Sequence, residues 1–144
     1  MWLLVHFITC AFMTGLIWLV QLVHYPAFKS IEAQGFASFH RFHSSAIGCI
    51  VAPVMLMEMI SGILLWAAAK DKLFFAVNGI LLVLIWISTA FLSVPQHEAL
   101  AAAKDPAVIE KLVVTNWPRT LLWTLRLVML SLYLLPLFRQ AGIR

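Results

Sequence analysis

The sequence predicts an all-α integral membrane protein, a four-helix up-down bundle with short amphipathic surface helices. Three observations lead there. Of 144 residues, 63% are hydrophobic and only 11% charged, against roughly 25% charged in a soluble domain. A soluble fold this apolar would expose large adhesive patches. Four runs reach the length of about 20 apolar residues that a membrane-spanning helix needs. Most of the basic residues fall at the ends of these runs rather than in a patch, where interface anchors and orientation signals belong. The whole chain, 1–144, reads as one domain.

The first span covers residues 2–24. It opens MWLLVHF without a basic leader and without a small-residue cleavage site, so it is expected to stay as a helix. Tyr25-Pro26 ends it, because the residue before a proline avoids helical geometry. Residues 29–35 form a polar connection. In FASFHRFH, at 36–43, phenylalanines recur every third residue; this is an interfacial turn or the water-side extension of the next span. The second span covers 44–69, with a bend expected at Gly48 and Pro53. Lys70-Asp71-Lys72 is a short link, so spans two and three are antiparallel neighbours. The third span covers 73–94, and Pro95 kinks or ends it. Two short surface helices are expected between Gln96 and Thr115, the second starting at Asp105-Pro106 with proline in its first position. The fourth span covers 117–138, and Arg139 and Arg144 make a basic tail.

The net charge of +4 is spread singly and does not form a nucleic-acid patch. Cys10 and Cys49 lie far apart in apolar runs without metal-type spacing, and read as packing residues. Lysines and arginines nearly balance on the two sides, so the charge rule decides orientation weakly; the short KDK link and basic tail favour cytoplasmic termini.

An up-down bundle gathers Gln21, His24, His40, His43, Gln96, His97, Glu98, Asn116 and Arg119 at one rim. His24, His43 and His97 come from three helices at one depth, with His40 three residues from His43. Imidazoles converging from separate helices suit Fe, Cu or Zn, or hold a haem iron axially. The competing reading is a set of wet interfacial histidines bonded to headgroups and loop carbonyls. Arg119, beside Trp117, either orients an anionic group or anchors the helix at the interface. Glu58 lies 15 residues beyond His43, roughly 22 Å deeper on a straight helix. It shares no centre with the histidines unless the helix folds back. An ionisable residue at that depth needs a partner, and Arg126 is the best placed. The pair is a proton relay or substrate carboxylate on one reading, and structural on the other. His6 stands at the far end of span one, with no role assigned.

VQLVHYPAF at 20–28, FASFHRFH at 36–43, APVMLME at 52–58, SVPQHEAL at 93–100 and TNWPRT with WTLR at 115–126 resemble a group of small bacterial four-span membrane proteins to which no reaction is assigned. A fainter likeness in size and span number is to anthrone-oxygenase-like membrane proteins, and no catalytic residues carry over from them. The resemblance implies a bacterial inner membrane. Two functions remain open. One is a metal- or haem-dependent oxidoreductase acting on a lipophilic substrate or quinone, with the four histidines at the centre, Glu58 relaying protons and Arg119 orienting an anionic group. The other is a binding or transport module, as a homodimer or an accessory subunit of a membrane complex, centred on the Glu58–Arg126 pair.

Overall fold

A computed structural model describes residues 1–140. Among them the chain folds into four long helices joined by short links: α1 (Trp2–Ser30), α2 (Ala33–Ala68), α3 (Lys72–Ala102) and α4 (Pro106–Gln140). Helices adjacent in sequence pack against one another, and α4 closes the ring against α1. This is the expected up-down bundle. α1, α2 and α3 are long and apolar enough to cross a membrane. α4 is 35 residues long and carries Glu110, Lys111, Arg119, Arg126 and Arg139.

The helices bury one stripe and expose another. On α1 the inner face carries His6, Cys10, Met13, Thr14 and Ile17. The outer face carries Leu4, Ile8, Phe12 and Leu19, all exposed. Both sets recur at three- and four-residue steps, the helix repeat. Many of the chain's polar residues point inward while large apolar ones point out. That polarity suits hydrocarbon surroundings, where polar side chains must find partners inside the bundle.

The helices are longer than the sequence suggests, and the prolines explain why. α1 does not end at Tyr25-Pro26, and α3 does not end at Val94-Pro95; both continue as helix to Ser30 and Ala102. Proline removes one backbone donor, and its ring collides with the carbonyl four residues earlier. Both helices answer with a wide π-helical turn just before the proline, Val20–His24 in α1 and Thr89–Ser93 in α3. The extra residue per turn relieves the collision and keeps the helix running. Such bulges often mark functional positions. Here they set the direction of His24 and Tyr25 on α1 and of Gln96 and His97 on α3.

Of the two readings of residues 36–43, the structure shows the water-side extension of α2, which begins at Ala33. Through Gly48 and Pro53 the α2 backbone keeps helical angles, and the non-helical angles in α2 fall at Gln34 and Gly35. The two short surface helices are not separate elements. Residues 96–102 are the end of α3, and 106–115 are the start of α4. Arg144 lies outside the described residues.

The Asp105-Pro106 start holds as expected. The Asp105 carboxylate accepts from the backbone N–H groups of Ala107 and Val108, at 2.8 and 3.4 Å, and so satisfies helix-end donors. Asp105→Ala is expected to lower stability by about 1 kcal/mol, with Asp105→Asn close to wild type. Thermal unfolding in detergent checks both. At the same end, the Lys104 ammonium donates to the carbonyl of Lys29 at 2.8 Å and also to that of Ile31. It ties the α3–α4 link to the end of α1.

Candidate functional site

Two polar centres lie inside the bundle, with a cavity between them. The rim centre contains His24, His40, His43 and His97, brought together as expected. Phe28, fully buried, organises them: its ring meets those of His24, His40 and His43 edge-on at 5.2–5.6 Å between centroids. His40 and His43 share an α2 face because they are three residues apart.

The imidazoles pair with one another. His24 Nε2 lies 2.8 Å from His43 Nδ1, and His40 Nε2 lies 3.0 Å from His97 Nδ1. Two nitrogens on one tetrahedral zinc stand about 3.3 Å apart, given zinc–nitrogen bonds of roughly 2.0–2.1 Å. The observed pairs are closer and face each other as donor and acceptor. Among the described residues, no group of three or more His, Cys, Asp or Glu side chains converges where a metal ion could sit. His40 Nδ1 and His43 Nε2 are buried without a hydrogen-bond partner.

Tyr25 joins this centre. Its hydroxyl lies 3.0 Å from His97 Nε2 and accepts from the Arg119 guanidinium at 3.3 Å. Arg119 also donates to the Asn116 side-chain carbonyl. The Asn116 amide donates to Gln21 Oε1 at 2.8 Å, and the Gln21 amide donates to the Val113 carbonyl at 3.1 Å. Arg119 is only 6% exposed. It is an interior cation, and the interface-anchor reading is set aside.

This geometry makes a hydrogen-bonded chain with two arrangements. Arg119 can only donate, so the Tyr25 oxygen always accepts from it. In one arrangement Tyr25 donates to His97 Nε2, His97 Nδ1–H donates to His40 Nε2, and His40 keeps its proton on Nδ1. In the other, His40 Nε2–H donates to His97 Nδ1, and His97 Nε2–H donates to Tyr25. A proton arriving at His40 Nδ1 converts the second into the first and releases the phenolic proton of Tyr25. The chain can therefore carry a proton between His40 and Tyr25 without moving a side chain.

The second centre lies deeper. Arg126 Nη1 donates to Glu58 Oε1 at 2.7 Å, and both side chains are 0% exposed. The expected Glu58–Arg126 pair is therefore formed. Trp123 Nε1 donates to Glu58 Oε2 at 3.0 Å, and Arg126 Nε donates to Asn78 Oδ1 at 3.2 Å. Both carboxylate oxygens are engaged. His6 belongs here: its Nε2 lies 3.1 Å from Asn78 Oδ1 and 3.3 Å from Arg126 Nη2, and its Nδ1 lies 2.8 Å from Ser61 Oγ. Gly62 lets the ring in, since a Cβ there would stand 3.1 Å from His6 Cε1. Sequence reasoning missed His6, Ser61 and Asn78. The available signal was depth: Ser61 and Asn78 lie within about three turns of the Lys70-Asp71-Lys72 link, and His6 lies one turn into α1, which an up-down bundle places at the same end.

The cavity between the centres has a volume of about 420 Å³, within the usual range for small-molecule sites. All four helices line it. Tyr25, Ser44, Ser93, His97 and Arg119 face one part; Met13, Leu16, Ile17, Val51 and Trp123 supply apolar wall. Ser44 Oγ, Ser93 Oγ and Arg119 Nε are buried without a hydrogen-bond partner in the protein. Trp123 lines the cavity and bonds Glu58 behind it, so the indole separates Glu58 from the cavity.

No protein-family model, curated protein or solved structure matches the chain.

Proposed function

We propose that this chain is a four-span protein of the bacterial inner membrane, with cytoplasmic termini, that binds a lipophilic molecule between its helices. It acts on the polar end of that molecule by proton transfer through Tyr25, His97 and His40. The observation that supports this reading best is the cavity itself. It is apolar along most of its wall and ends on a phenol, an imidazole and a guanidinium that belong to one hydrogen-bonded chain. A quinone fits such a place: its carbonyl oxygens accept from Arg119 and Tyr25, and its reduction needs protons. Electrons for an oxidoreductase would come from a partner or a cofactor. Metal or haem chemistry at the rim would require the paired imidazoles to separate. The alternative, a binding or transport module within a larger complex, uses the same cavity without the relay. It draws support from the Glu58–Arg126 pair, which is saturated with structural partners.

A fluorescence titration in lipid nanodiscs tests the binding. A short-chain quinone should quench tryptophan emission saturably, because Trp123 lines the cavity, and Trp123→Phe should remove the saturable part. Quenching that rises without saturation in both proteins would mean partitioning into lipid only and would count against the reading. For the relay, Tyr25→Phe removes one hydrogen bond to the ligand and should weaken binding by roughly ten-fold or less, while reducing proton-coupled turnover at saturating ligand by about 10²–10⁴-fold. Unchanged turnover would favour the alternative.

A further inference from the structure

Arg119 and Arg126 lie on the same helix, seven residues and two turns apart, and both face the bundle interior. They differ in one respect. Arg126 has Glu58 at 2.7 Å. Among the described residues, Arg119 has no carboxylate within ion-pair distance; its partners are the neutral Tyr25 hydroxyl and the Asn116 side-chain carbonyl. Charges withdrawn from water inside a membrane protein are ordinarily paired. Arg119 nevertheless lines an apolar cavity, with its Nε–H unpartnered and the unpartnered hydroxyls of Ser93 and Ser44 in the same wall. At the exposed end, Arg41 and Glu98 also line the cavity and offset one another in charge. The interior charge that remains is that of Arg119.

We infer that the cavity takes an amphiphile with an oxyanion head, the head seated on Arg119 and Ser93 and the chain lying along Met13, Ile17 and Val51. This rests on the proposal that the cavity binds a lipophilic molecule, and narrows it to an acidic one. The donor set fits the chemistry. A guanidinium edge with a free Nε–H and two hydroxyls presents hydrogen-bond donors to an oxyanion. The length is compatible as well: on α2 the cavity wall runs from Arg41 to Val51, about 15 Å of helix, room for part of an extended alkyl chain. A carboxylate and a phosphate monoester share this head chemistry, and the test separates them.

The experiment is a competition titration on wild-type protein in nanodiscs, read by Trp123 emission. The probes are palmitate, methyl palmitate, a single-chain lysophosphatidic acid and a short-chain quinone. At least one of the two acids should bind ten-fold or more tightly than methyl palmitate. Whichever acid binds more tightly identifies the head as carboxylate or phosphate. Arg119→Gln should erase the preference for acid over ester, and Arg119→Lys should retain part of it, which guards against a folding defect. If methyl palmitate and quinone bind as tightly as the acids, the acidic-head inference is overturned while cavity binding stands. If no probe binds saturably, cavity binding falls too.

Discussion

Arg126→Ala and Glu58→Ala are each expected to destabilise the bundle by about 3–5 kcal/mol, because either change leaves an uncompensated charge at a site with no exposure. The loss should exceed that of any helix-cap substitution here several-fold. The reason is the surroundings, more than the strength of one bond. Glu58 is held by Arg126 and Trp123, and Arg126 by Glu58, Asn78 and His6. Removing the guanidinium strands the carboxylate against an indole. Removing the carboxylate strands the cation beside an imidazole and an amide. Replacing both together, Glu58→Met with Arg126→Met, removes the charges as well as the bond. Apolar replacements of buried ion pairs are often neutral or better. The double variant should therefore be more stable than either single alanine variant, although Asn78, His6 and Trp123 lose partners. Unfolding in detergent micelles measures all three. A double variant as unstable as the sum of the two single losses would show that the pair is not coupled.

Gly48→Phe is expected to abolish ligand binding while leaving the fold intact. Gly48 lines the cavity, and a Cβ added there meets nothing within 4 Å. It sits inside α2 with helical geometry, where glycine costs roughly 0.5–1 kcal/mol relative to alanine. Gly48→Ala should thus raise stability by up to about that amount and trim the cavity slightly. Gly48→Phe fills the space a ligand would occupy, and affinity should fall about 100-fold or more, beyond about 2.7 kcal/mol of binding energy. Thermal unfolding with and without ligand separates the two effects. A folded Gly48→Phe that binds normally would mean that the space beside Gly48 is not where ligands go.

The bundle was legible in the sequence because its signals are local. Apolar runs, the KDK link and the Asp105-Pro106 start each report on a few residues, and each gave the right neighbours. Prolines 26 and 95 misled because a proline signals a lost donor without saying how the helix responds. Here a π turn absorbs the collision, and the helices run on. The gathering of His24, His40, His43 and His97 followed from the up-down order alone. Their pairing did not, since ring directions depend on the π turn in α1 and on Phe28. Glu58 with Arg126 was readable from the need of a deep carboxylate for a cation, but His6 was not placed with them. Its depth had to be counted from the opposite end of the bundle. The cavity was the least legible feature, because a void belongs to the packing of four helices. Its one sequence trace is small residues at helix spacing on facing elements, Ser44 and Gly48 on α2 and Thr89 and Ser93 on α3.

The most direct measurement is of what the protein keeps. Wild type and Gly48→Phe would be purified side by side in the same mild detergent, and the lipophilic molecules each retains extracted and quantified by mass spectrometry. A cavity that binds one lipophilic molecule predicts near-stoichiometric retention of one molecular species by wild type, reduced at least ten-fold in Gly48→Phe. Equal retention by the two proteins, with the same mixture of bulk lipids in each, would contradict it.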